Sequence, residues 1–113
     1  MNIKVTGVDY APDDLYGQTP FTAQILRQLP GPDRQDYWLA ELATPLKWQH
    51  DGSESLVTHL VVAARWVGGV IAPGAHYLPI NIAYVTDQSL LSDAHLDFAK
   101  SHYCAIGVAD VSP

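Results

Sequence analysis

Cysteine is nearly missing from this chain: Cys104 stands alone among 113 residues. No disulfide can form within the chain, which excludes a small secreted framework held by cross-links. Basic residues are scarce too, with 6 Lys and Arg against 12 Asp and Glu and a net charge of −6. Nucleic acid and anionic membrane surfaces are held by neutralising phosphate with Lys and Arg, so neither is an expected partner. A clean membrane span is also lacking. The mostly apolar run from Leu56 to Ala72 carries His59 and Arg65 and ends at Gly68-Gly69, and it falls short of the ~18 residues a spanning helix needs. The opening MNIKVTGVDYAPDD has no apolar stretch like that of a signal peptide. These shortages point to a reducing, cytoplasmic setting.

Signatures of catalysis and of cofactors are equally thin. His50, His59, His76, His95 and His102 fall in no ligand spacing such as His-x-x-x-His. VGGVIAPG offers neither a phosphate-binding Lys-Ser/Thr nor Gly-x-Gly-x-x-Gly, and no Asp-x-Asp-x-Asp-Gly loop is present. No metal and no cofactor are expected. His102 and Cys104, two apart in a strand, would share a face and could share a metal; a small core cysteine beside an edge histidine explains them as well. YCAIGV reads as an inert buried strand rather than the open, electropositive setting of a nucleophilic thiol.

What the chain does have is apolar mass and punctuation. Hydrophobic residues make up 48% of it, with 8 Gly and 8 Pro. That suffices for one core, and the length suits a single domain over 1–113. Frequent turns favour strands over a helical bundle. Residues 2–9 alternate as a first strand. Thr19 and Pro20 have the form of a helix start, and Phe21, Ile25 and Leu29 recur at four-residue spacing, which predicts a helix over 20–29 ended by LPGPDRQD. DYWLAEL and PLKWQ read as strand pieces joined at 43–45, and Asp51-Gly52 as the hairpin turn into a long strand over 55–66. Apolar residues on both faces of that strand predict cover on each side. INIAYVT is a further strand, Asp87 caps a short helical turn over 89–92, and HYCAIGVADV is the last strand. The expected fold is α+β: a mostly antiparallel sheet or open barrel of about six strands, with one helix near 20–29.

Carboxylates and aromatics supply the candidate surface. Asp13, Asp14, Asp33 and Asp36 fall in turn-rich segments, where Asp also serves turns and caps. Tyr37 and Trp38 are adjacent in a strand and must point to opposite faces, so if one is inside, the other is exposed or under a covering element. His76 and Tyr77 sit in APGAHYLP between two stiffening prolines. Such a loop either presents a contact site or packs Tyr77 on the sheet. Exposed Tyr and Trp beside loop carboxylates are what protein-binding surfaces contain.

In size, acidity and single-domain build, with acids at Asp9, Asp13, Asp14, Asp33, Asp36, Asp51 and Glu54, the chain resembles the immunity proteins that bacteria deploy against their own toxins. The resemblance implies a stoichiometric, non-catalytic inhibitor that binds a basic toxin domain by charge and shape. Its contact residues would be Asp13, Asp14, Asp33, Asp36, Tyr37, Trp38, His76 and Tyr77. Two other classes stay open: a small-ligand-binding β-domain with an aromatic cavity, and a small hydrolase or metal enzyme using His59, His76, His102 or Cys104. The acidity also has a plainer use, in keeping the chain soluble.

Overall fold

The computed structural model describes every residue except 51, 52 and 67, so the Asp51-Gly52 turn lies outside the described residues. Strands β1 (Asn2–Asp9), β2 (Phe21–Gln28), β3 (Trp38–His50), β4 (Ser53–Ala64), β5 (Leu78–Val85) and β6 (Ser101–Ser112) follow in order. Each pairs antiparallel with its chain neighbour, and β6 returns to β1. The expected six-stranded antiparallel architecture is therefore present, and the barrel is closed rather than open.

The helix expected over 20–29 is strand β2. Its α-helical reading rested on Phe21, Ile25 and Leu29, but spacings of four and eight belong to the two-residue period as well. The deciding positions lie between them. Ala23 is buried, whereas Thr22, Gln24 and Leu26 are exposed. That is alternation, and the β-sheet partners Ala23↔Leu42 and Gln24↔Glu41 confirm it. The one described α-helix, α1, is a four-residue turn at Asp13–Tyr16.

The interior is filled. Ile3 and Val5, Ala23 and Ile25, Ala40 and Leu42, Leu60 and Val62, Ile80 and Ile82, and Ala105 and Ala109 alternate inward from the strands in turn. Trp48 closes one end edge-on to Tyr84, ring centroids 4.8 Å apart. Small barrels have room for side chains and little else, so this is a core and not a channel. Close approach sets one residue type: a Cβ on Gly107 would come within 2.9 Å of the Gly7 carbonyl oxygen.

Irregularities re-aim the walls. The break expected at 43–45 is a register shift in β3 between Glu41 and Leu46. The strand expected over 55–66 ends at Ala64, with Arg65 and Trp66 in a bend, and Gly68 takes the left-handed backbone (φ 92°) of the reversal. In β6 a shift opposite Ile82 and Ala83 leaves Cys104 unpaired between Tyr103 and Ala105. Cys104 joins the inner core with Ala105, while Tyr103 turns to solvent. Strict alternation along HYCAIGVADV would set Cys104 on one face with Ile106 and Val108, and it does not hold: one inserted residue flips the alternation.

Residues 86–100 do not simply join β5 to β6. They cross the outside of the barrel, where Leu90 and Leu96 pack with Leu29, Leu39, Val61 and Val85 in a second core. Both faces of β4 are thereby covered along 59–64, as its two-sided apolar pattern requires. No helix among the described residues is long and apolar enough to cross a membrane.

Candidate functional site: an aromatic-walled recess on the outer wall

The crossing segment is fixed at several points. Asp87 and Asp97 accept the backbone N–H groups of Ser89 and Ala99, each at 2.9 Å, and so cap the two 3₁₀ turns at Gln88–Ser92 and Phe98–Lys100. Leu96 N–H donates to the Pro30 carbonyl at 2.7 Å, and Arg27 Nη2 donates to the carbonyls of Leu91 and Asp93 at 3.0 and 2.7 Å. Lys100 meets the Asp93 carboxylate at 2.7 Å. A segment with almost no regular structure of its own is thus held against the wall through its backbone N–H and carbonyl groups.

Where the segment turns back to β6 it leaves a recess of about 240 Å³. Val61 and Ala63 of β4 and Asn81 and Ala83 of β5 line it, and Tyr37, Phe98 and Tyr103 wall it. Phe98 is 50% exposed and Tyr103 57%. Tyr37 lies between the two environments: its ring meets Phe98 edge-on at 6.1 Å, its hydroxyl donates to Asp33 at 2.9 Å, and the Arg34 guanidinium stands 5.6 Å from its centroid. Burial first, and then the Asp33 carboxylate, push its phenol up to about 12. Arg34 also forms a two-point ion pair with Asp36, which holds that carboxyl below the usual range. The recess is chiefly apolar, with polar groups only at Asn81, Ser101 and the two tyrosine hydroxyls.

The contact residues read from the sequence are not brought together as one patch. Tyr37, Asp33 and Asp36 do gather beside the recess, in the β2–β3 connection. Trp38 turns the other way and packs half-buried against the inner core, so the adjacent pair splits as its opposite faces require, with Tyr37 under the crossing segment. Asp13 and Asp14 belong to α1 in the β1–β2 connection, at the opposite end of the barrel. His76 and Tyr77 lie in the β4–β5 connection, exposed and tied to Asp110. Phe98, Tyr103 and Asn81 were not singled out in the sequence. Their one legible signal was Asp97 as a cap just ahead of Phe98.

The histidine and cysteine candidates resolve individually. His102 is exposed, with its ring 5.1 Å from that of Trp48, while Cys104 is buried and donates to the Ile82 carbonyl at 3.3 Å. The pair therefore does not share a face. Burial pushes the Cys104 thiol up to about 12, the reverse of an activated nucleophile. The neighbouring Tyr84 hydroxyl is buried with no nitrogen or oxygen partner among the described residues, and burial raises its phenol well above the ordinary range. His59 sits between the Thr58 hydroxyl at 2.8 Å and the Glu41 carboxylate at 3.3 Å. This hydroxyl–imidazole–carboxylate chain uses both ring nitrogens and leaves His59 only 9% exposed, which suits a satisfied buried histidine better than a base open to substrate. Among the described residues no three His, Cys, Asp or Glu side chains converge as metal ligands would.

A broader depression of about 760 Å³ lies at the barrel mouth between Trp48, Leu56, Gln88 and His102. Its polar, open lining gives little area from which water is excluded. Comparison of the chain with protein-family models, curated proteins and solved structures finds no match.

Proposed function

We propose that the protein is a non-catalytic binding domain for a basic protein partner, which inserts an apolar side chain into the recess between Tyr37, Phe98 and Tyr103. The observation that carries this is the pair of half-exposed rings, Phe98 and Tyr103, walling a floor of small side chains. A volume of about 240 Å³ is below the ~300–1,000 Å³ of most small-molecule sites and suits one anchoring residue. Asp33 accepts from the Tyr37 hydroxyl and Asp97 directly precedes Phe98, and the net charge of −6 favours encounter with a cationic surface. A cytoplasmic toxin domain of the kind that immunity proteins block is the partner class this reading names.

The test is kinetic. A partner captured on immobilised protein is identified, produced separately, and its dissociation measured from wild type and from Phe98→Ala/Tyr103→Ala. Loss of both rings should speed dissociation about 30-fold, equivalent to roughly 2 kcal/mol. An unchanged off-rate from a double variant with native melting behaviour would sink the proposal. The enclosed apolar walls of the same recess also favour a second reading, a small flat apolar ligand. Native mass spectrometry of the purified chain distinguishes it by a bound mass that disappears in the double variant.

A further inference from the structure

Among the described residues, two other than glycine adopt a left-handed backbone, and both are exposed tyrosines: Tyr10 at φ 49° and Tyr77 at φ 54°. Residues with a Cβ avoid that region, and where they are forced into it the surrounding structure must hold them. Each tyrosine is held by a carboxylate that accepts its own backbone N–H, Asp9 Oδ1 from Tyr10 at 3.0 Å and Asp110 Oδ1 from Tyr77 at 2.9 Å. The Tyr77 loop is further laced to β6 by Gly74 N–H to the Val111 carbonyl and Val111 N–H to the Ala75 carbonyl, both 2.9 Å. Tyr77 is nonetheless 66% exposed. Strain maintained to display a ring to water adds nothing to a core.

Tyr77 and Asp9 line one recess of about 270 Å³ on the outer face of β1 and β6. Its floor is low because Gly7 presents no side chain there, between Ile106 and Val108, and Gly107 contributes only backbone. The other carboxylate nearby is already engaged. Asp110 is taken by His76 Nδ1 at 2.8 Å and by the Tyr77 N–H, and Lys4 pairs in register with Asp110. Asp9 differs. Its Oδ1 accepts from Tyr10 and, at 3.5 Å, from the Tyr16 hydroxyl, and among the described residues no cation pairs with it.

We propose that this recess receives an arginine side chain of the basic partner, its guanidinium lying against the Tyr77 ring and paired with the Asp9 carboxylate. The pairing is chemically specific: a planar, weakly hydrated cation stacks on an aromatic face and offers a fork of N–H donors to a carboxylate. The inference rests on the binding-domain reading for the identity of its occupant, but its test does not need the partner.

Backbone amide shifts of the intact protein are followed during titration with N-acetyl-arginine amide and with the uncharged N-acetyl-citrulline amide. The arginine compound should move Gly7, Asp9, Tyr77 and Gly107 saturably, and bind at least about fivefold more tightly than the citrulline compound. Asp9→Asn should weaken it by a similar factor. Tyr77→Gly provides a control for folding: glycine suits the left-handed backbone, so the variant should melt no lower than wild type while losing arginine binding. Equal response to the two compounds, shifts confined to other residues, or full binding by Tyr77→Gly would each overturn the inference. Saturable arginine binding together with an unchanged off-rate in the Phe98/Tyr103 test would leave this site standing and remove the Phe98/Tyr103 recess as the partner's anchor.

Discussion

The barrel interior and the layer beneath residues 86–100 are both hydrophobic cores, but they are enclosed in different ways. Inside, Leu60, Val62, Ile80 and Ile82 are ringed by strands whose backbone hydrogen bonds close on themselves. Outside, Leu29, Leu39, Val61, Leu90 and Leu96 are enclosed by a segment whose only regular pieces are short 3₁₀ turns. Removing a residue from the first leaves a hole in a rigid wall. Loss of one from the second loosens a strap that can lift alone, since regions with few ladder bonds open below the global unfolding energy. The aromatic recess lies at the rim of the second, so the surface proposed to bind is built from the part of the molecule most able to adjust.

The largest effect is expected inside. Ile82→Ala should cost about 3–5 kcal/mol and lower the single cooperative melting transition, as measured by urea denaturation. Leu96→Ala should cost less, about 2 kcal/mol. Its signature would be local: faster amide exchange across 86–100 with near-native protection in β1 and β6. Equal losses through one shared transition would erase the distinction between the cores. Arg27→Met removes the donor to the Leu91 and Asp93 carbonyls and should cost about 1–2 kcal/mol, again read as exchange in the strap.

The smallest effect is a pH dependence confined to the outer layer. With the Tyr37 phenol pushed up to about 12, its neutral form is favoured by folding. That stabilisation is complete below about pH 10, where unfolded tyrosine is still neutral, and is lost as pH rises towards the folded value. Tyr37→Phe should therefore show a flatter fall in melting temperature between about pH 9.5 and 11.5 than wild type. Parallel curves would mean that Tyr37 ionises as freely in the folded protein as in the unfolded one.

The strands were legible where their chemistry was unambiguous. β4 announced cover on two sides because both its alternating sets are apolar, and Tyr37-Trp38 announced a boundary between inside and outside. The sequence misled at β2, where Phe21, Ile25 and Leu29 satisfy helix and strand periods alike and the capping pair Thr19-Pro20 tipped the balance. Only burial decides between the two periods: Ala23 is inside and Leu26 exposed. The Cys104 bulge left no trace, since a single unpaired residue changes no composition. The recess was illegible for another reason. Its walls come from residues 37, 61–63, 81–83 and 96–103, and nothing local says that residues 86–100 will run across the wall rather than turn directly into β6.

The pairing of β1 with β6 has a consequence for how the chain folds. Every other ladder joins strands that are consecutive in sequence, so each can form as a hairpin or a loop closure of modest entropy. The seam is different: Asn2 must find Ser112, and Ile3 must find Val111. Search over nearly the whole chain makes this contact the slow one, and until it forms, the sheet carries unpaired edges on β1 and β6. Early folding should therefore yield an open, curling meander, with seam closure as the rate-limiting event. A circular permutant that joins β6 to β1 through a short turn would convert the seam into a hairpin and fold faster.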